Sequence, residues 1–241
     1  MRRIIPIDTY LNILDGIADE IEKRLPRERY PLRTIQIINQ YLYDQLGYTG
    51  NNYDYYDPRN SFLNDVIDRR TGIPITLSLV YLEIARRIDF PLVEVNMPGH
   101  FLIRPEFKDV GIFVDTFNRG EILFEQDFET RLIEIYGYPV KLQPSFTEPV
   151  SHRQLLARIL TNLKLIYLNR QNLSRALATV EQLLLLFPET PREVRDRGLL
   201  YYQLGYSSKA YRDLGVYLAM LPNPDDPDMI NRLLQQLSRE I

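Results

Sequence analysis

Cysteine is absent from all 241 residues, and that one absence removes several chemistries together. Disulfide staples, thiolate nucleophiles and cysteine-ligated zinc or iron–sulfur sites are all excluded. Histidine is scarce, with only His100 and His152 present. One histidine among scattered carboxylates is not metal-ligand spacing, so neither a metal nor another cofactor is expected. Long apolar runs are missing as well. The longest, Leu183 to Phe187, stops at Pro188, well short of the roughly 20 residues that span a bilayer. Ile4-Ile5-Pro6-Ile7 after Met1-Arg2-Arg3 is too short for a secretory leader. Positive charge is not in excess: 29 basic against 32 acidic residues give a net charge of -3, with no electrostatic footprint for nucleic acid. These absences predict a cytoplasmic protein with no membrane span.

What is present suits one large or two modest domains, each with a core of its own, since 45% of residues are apolar. Ile7, Leu11, Leu14, Ala18, Ile21 and Leu25 recur at steps of four and three, the stripe of an amphipathic helix. Leu32, Ile35, Ile38, Leu42 and Leu46 repeat the pattern and predict a second helix ending at Gly47. Residues 48–60, rich in Tyr, Asn, Asp and Gly, read as a structured loop. Asn60-Ser61 is placed to N-cap a short helix through Leu63, Val66 and Ile67. After the break at Thr71-Gly72-Ile73, Pro74 opens a helix whose face of Leu77, Tyr81, Ile84, Ala85 and Ile88 marks it as central and buried. The period then shortens. Leu92–Met97, Phe101–Arg104 and Ile112–Phe117 predict three strands of an antiparallel sheet, followed by a helix over 126–136 and a proline-bearing linker to Pro149. Helices first and consecutive strands afterwards argue an α+β domain over residues 1–148.

Residues 149–241 read as wholly helical, and they repeat. A shift of 34 places Tyr167 on Tyr201, Ala176 on Ala210, Leu184 on Leu218 and Pro188 on Pro222. That period is the tetratricopeptide length, and the residues suit it: a small Ala lets two helices approach, Tyr packs across them, and Pro ends the second helix. Two hairpins are too few to stand alone, so a final helix from Met229 to Leu237 is expected to cap them.

Candidate chemistry gathers near His100. Asp115 lies at the end of the next predicted strand, where its carboxylate could fix the imidazole tautomer. Gly72-Ile73-Pro74 opening an apolar helix, Arg86-Arg87-Ile88-Asp89-Phe90-Pro91, His100 and Asp115 together resemble the transglutaminase-like superfamily, whose fold is papain-like. The resemblance implies a cysteine at the start of the central helix, where the helix dipole lowers its pKa. That position is Pro74 here, so the implied triad lacks its nucleophile. Thr76 lies roughly 200° around the helix from residue 74, whereas Ser78 returns to the same side and is the one hydroxyl candidate.

The sequence is more specifically similar to the SirB-type family, which joins a transglutaminase-like core to C-terminal tetratricopeptide repeats. The resembling stretches are Tyr55 to Ser61, Arg69 to Leu77, Met97 to Arg104 and Glu193 to Leu199. Tyr is enriched at recognition surfaces, so the tyrosines at 41, 43, 48, 53, 55 and 56 either line a groove or pack the loop onto the central helix, and Tyr55, Tyr56, Asn60 and Arg69 are the candidate binding residues. Arg69-Arg70 and Arg86-Arg87 are expected to be solvated or to pair with Asp57, Asp65 and Asp68. The expectation is therefore a non-catalytic adaptor or regulatory scaffold with protein partners. The alternative is a hydrolase or acyltransferase at amide or ester bonds, using His100, Asp115 and a nucleophile other than cysteine.

Overall fold

The computed structural model describes residues 5–95, 101–107, 111–124, 127–128, 130, 133, 137–138, 146, 148–221 and 226–241. The chain divides into two compact units, Met1–Ser151 and His152–Ile241.

In the first unit, α1 (Ile7–Glu22) follows the predicted stripe only in part. Leu14, Ile17, Ala18 and Ile21 are buried, while Ile7 and Leu11 stay 69% and 43% exposed. The core begins about two turns later than the pattern does. The second predicted helix is two conformations: α2 (Pro31–Asn39) runs into a π-helical segment, Gln40–Gln45. There the Leu46 N–H reaches back five residues to the Tyr41 carbonyl, at 2.9 Å. Widening the helix in this way turns both Leu42 and Tyr43 inward.

The loop after it contains a short parallel pair that the sequence did not suggest, β1 (Thr49–Gly50) against β2 (Thr71–Gly72). Between them lie a 3₁₀ turn, Pro58–Ser61, and α3 (Leu63–Arg69). The N-cap position of α3 is Phe62, with no side-chain cap, so the predicted Asn60-Ser61 cap is corrected. Asn60 is drawn away by longer-range hydrogen bonds. Central helix α4 (Pro74–Arg87) begins with proline as predicted and buries Ile75, Leu77, Val80, Tyr81, Ile84 and Ala85. Its burial exceeds one face because α1 and α3 pack on it, as do the strands beyond.

Among the described residues those strands number four, one more than expected: β3 (Leu92–Val95), β4 (Leu102–Pro105), β5 (Ile112–Asp115) and β6 (Glu121–Phe124), an antiparallel meander in chain order. β5 ends at Asp115 rather than Phe117, and β6 returns with Asp115 opposite Glu121. Arg119 and Gly120 both take positive φ in the connecting turn. Asn96 and Met97 lie outside the described residues, as does most of the predicted helix over 126–136. The end of the predicted linker is docked: Pro149 bridges Val95, and the Val150 N–H beyond it donates to the Glu94 carbonyl at 3.0 Å.

The described residues of the second unit form five helices: α5 (His152–Asn169), α6 (Leu173–Leu186), α7 (Pro191–Gln203), α8 (Ser207–Met220) and α9 (Pro227–Leu237). The 34-residue period holds down to single hydrogen bonds. Asn172 N–H to Tyr167 carbonyl recurs as Tyr206 to Tyr201, each at 2.8 Å. Positive φ recurs at Gln171 and Gly205. Arg175 lies over the Tyr167 ring and Lys209 over the Tyr201 ring. Ala176 and Ala210 are fully buried where the paired helices meet.

One pair of positions differs in kind. Gly198 lets α7 press onto α8; a Cβ there would sit 2.8 Å from Leu214 Cδ2. In the first copy these positions hold Lys164 and the smaller Val180, and the lysine reaches forward to Glu193 and Asp196 on α7, at 2.7 and 2.9 Å. α9 follows as the predicted cap, with polar residues outward and Ile230 and Leu237 buried. Pro222 lies outside the described residues.

Candidate functional site

Pro74 occupies the first position of α4, half-buried and without a nucleophilic atom. The helix start is fastened from the side. Thr76 Oγ1 accepts from the Ile73 N–H at 3.2 Å and donates to the Asn60 carbonyl at 2.7 Å. Ser78, the hydroxyl candidate, is fully buried and lies 2.8 Å from Thr116 Oγ1. Thr116 Oγ1 in turn approaches the Pro74 carbonyl at 3.3 Å. His100 lies outside the described residues, so its pairing with Asp115 is not described either.

Asp115 is 1% exposed at the end of β5. Its carboxylate accepts from the N–H groups of Phe117 and Asn118, at 3.0 and 3.2 Å, and from Asn118 Nδ2 at 2.9 Å. The turn that follows is gripped from two helices. Tyr43 donates to the Thr116 carbonyl at 3.0 Å, and Asn39 Nδ2 to the Gly120 carbonyl at 2.7 Å. Tyr81 donates to Asn39 Oδ1 at 3.1 Å. A Cβ on Gly120 would stand 2.1 Å from that same Oδ1, and φ there is +74°. Burial pushes the Tyr43 phenol far above its ordinary value, and the charge of Asp115 adds to the shift. Tyr43 thus holds the turn as a hydrogen-bond donor. The sequence reading missed Thr116, Asn39 and this role of Tyr43. The available signal was a cluster of polar residues at the strand end, Asp115-Thr116 and Asn118-Arg119-Gly120.

The candidate binding residues separate into surface and support. Tyr56 is 62% exposed, and Tyr55 packs edge-on against both Tyr56 and Phe117, at 5.3 and 6.1 Å between ring centroids. Tyr43 and Tyr48 belong to the core instead. Asn60 is fully buried and holds the loop closed: its Nδ2 donates to the carbonyls of Asp54 and Tyr55, at 2.8 and 3.2 Å, and its Oδ1 accepts from Asn51 and Arg69. Arg69 also stands 3.7 Å from the Asp57 carboxylate, which Arg59 engages at 2.7 Å. Arg70 donates to the Leu46 carbonyl, and Arg87 bridges Asp15 and Glu83. Among the described residues no group of three His, Asp or Glu side chains could hold a metal ion, and no helix is long and apolar enough to cross a membrane.

Comparison with known proteins places this geometry. Residues 8–161 match the transglutaminase-like superfamily, and residues 163–235 match the tetratricopeptide repeat. Over 237 residues the chain is 38% identical to a UPF0162 protein of Xylella fastidiosa (strain 9a5c), covering 97% of this chain and 82% of that one. The chain is a transglutaminase-like protein of the UPF0162 family. A UPF0162 protein of Vibrio cholerae is 28% identical over 94% of this chain and 84% of its own length. A stretch of 105 residues, 40% of this chain, is 42% identical to human F-box only protein 21, covering 17% of that protein. No solved structure matches. The SirB-type resemblance, a transglutaminase-like domain followed by tetratricopeptide helices, is thus borne out, and with it the α+β class of the first part.

Proposed function

We propose that this UPF0162 protein is a non-catalytic, cytoplasmic adaptor, whose transglutaminase-like domain (1–148) and helical repeats (149–241) both serve protein–protein contacts. Pro74 carries the reading: a residue with no nucleophilic atom stands at the head of the central helix, where the superfamily's chemistry starts. The surroundings of Ser78 support it. A serine nucleophile needs a base within hydrogen-bond reach and access to substrate, whereas this hydroxyl is buried against Thr116. The exposed ring of Tyr56 beside Tyr55, on a loop held by buried Asn60, favours recognition over turnover.

The deciding experiment assays the purified chain and its His100→Ala and Asp115→Asn variants for hydrolysis and amine transfer on acyl and amide substrates. In parallel, a captured partner is purified and the complex rebuilt from the two components. Absence of turnover with a stoichiometric complex supports the adaptor. Turnover that disappears in His100→Ala replaces it with the hydrolase or acyltransferase alternative.

A further inference from the structure

The last helix is anchored differently from the others. α7 buries Val194, Gly198, Leu200 and Tyr201, and α8 buries Ala210, Asp213, Leu214 and Tyr217. α9 buries only Ile230 and Leu237, with Leu233 and Leu234 half-buried between them. Much of its attachment is polar and sits at its first turn. Asp226, the residue before α9, accepts from the fully buried Tyr217 of α8 at 2.8 Å and from Arg195 of α7 at 3.1 Å. Arg195 leads on to Asp196, and Asp196 to Lys164 of α5. At the far end the contacts are thinner and exposed: Tyr202 to Gln236 at 3.4 Å and Ser207 to Glu240 at 3.0 Å.

We propose that α9 is a displaceable latch, held by Asp226, and that the face it covers on α7 and α8 receives an amphipathic helix from a partner protein. The resident helix defines what fits. Apolar side chains stand at i, i+3, i+4 and i+7 (Ile230, Leu233, Leu234, Leu237), and a carboxylate stands four residues before the first of them. Asn231, Arg232 and Gln235 are exposed, so a helix seated here needs only one apolar stripe. Displacement exchanges one such stripe for another and leaves the remaining four helices in place. Because α9 holds the site, the partner's apparent affinity is set by the fraction of molecules in which the latch is open. The proposal rests on the adaptor reading and supplies a kind of partner for it.

Two measurements on the full chain test it: amide hydrogen exchange, and binding of a fluorescent peptide spanning residues 226–241. In the native chain α9 should exchange roughly tenfold faster than α7, through an opening short of global unfolding. Asp226→Asn should raise α9 exchange by about a further tenfold, leave α5 to α7 unchanged, and tighten peptide binding by a similar factor. Tyr217→Phe, which removes one hydrogen bond without altering the core shape, should act in the same direction and less strongly. Exchange of α9 at the α7 rate in all three proteins overturns the proposal. So does an opened α9 in Asp226→Asn with no gain in peptide binding. Turnover in the acyl and amide assays would remove the adaptor reading yet leave these exchange results as they are, so the two failures are told apart.

Discussion

The hydroxyls of Ser78 and Thr116 meet at 2.8 Å, both fully buried, between the first turns of α4 and the turn after β5. Each satisfies the other where water does not reach, and Thr116 continues to the Pro74 carbonyl. Ser78→Ala should therefore cost about 1 kcal/mol of stability, with the larger loss in Thr116→Val, which also removes the contact to Pro74. Chemical denaturation of the two variants checks the order. A chain in which Ser78→Ala is the more damaging would contradict this arrangement.

Gly198 and Leu214 form a size-matched pair, and one repeat earlier the equivalent positions hold Lys164 and Val180. Gly198→Ala should destabilise the second unit by roughly 2 kcal/mol, because its Cβ meets Leu214 Cδ2 at 2.8 Å, Cγ at 2.9 Å and the backbone nitrogen at 3.2 Å. Adding Leu214→Val, which copies the first repeat, should recover part of that loss. A double-mutant cycle reads the coupling. Strictly additive changes would show that the two positions do not compensate.

Lys164 is only 9% exposed at its side chain. Burial alone would lower its pKa, but hydrogen bonds to Glu193 and Asp196 outweigh burial and hold it above the usual 10.5. A raised folded-state pKa contributes stability that is present below 10.5 and lost as pH climbs through the folded value. Lys164→Met should destabilise the protein by roughly 3 kcal/mol at neutral pH, since two partly buried carboxylates lose their cation. The gap between native and variant should stay level up to about pH 10 and narrow above it. Thermal melts across pH 7 to about 11.5 measure this, and a gap that widens with alkali would refute it.

Thr34 is fully buried in α2, and its hydroxyl has no hydrogen-bond partner among the described residues. Thr34→Val keeps the branched shape and removes the unsatisfied group, so it should leave stability unchanged or raise it by up to about 1 kcal/mol. A loss above that size, read from urea midpoints, would mean that the hydroxyl is engaged in solution.

Local periodicity made most of the architecture legible. The stripes of α1 and α4 and the 34-residue register needed no information beyond a few turns of helix. What escaped depends on distant partners. The break in α2 follows from Tyr43 having to reach Thr116, 73 residues away. Asn60 has the residue type of a cap, yet it is claimed by Asp54, Tyr55, Asn51 and Arg69. β6 lacks a clear alternation, running exposed, half-buried, buried, exposed, so nothing local distinguished it from a turn. At the candidate site, Pro74 at the head of α4 was legible because its place depends on one residue. Ser78 was not, because helical angle alone could not reveal Thr116 as its partner. The length of α1 also misled: a regular stripe says which side is apolar and not how far the core extends beneath it.

Residues 149–150 return to run beside β3, with Pro149 opposite Val95 and the Val150 amide on Glu94. An open sheet margin is where foreign strands attach and where aggregates begin. On the β3 side the chain covers the Glu94–Val95 end of that margin with its own backbone, immediately before it turns into the first repeat helix. A foreign strand that paired along the whole of that margin would have to displace this seam first, so the junction that leads into the repeats also shields one end of the sheet.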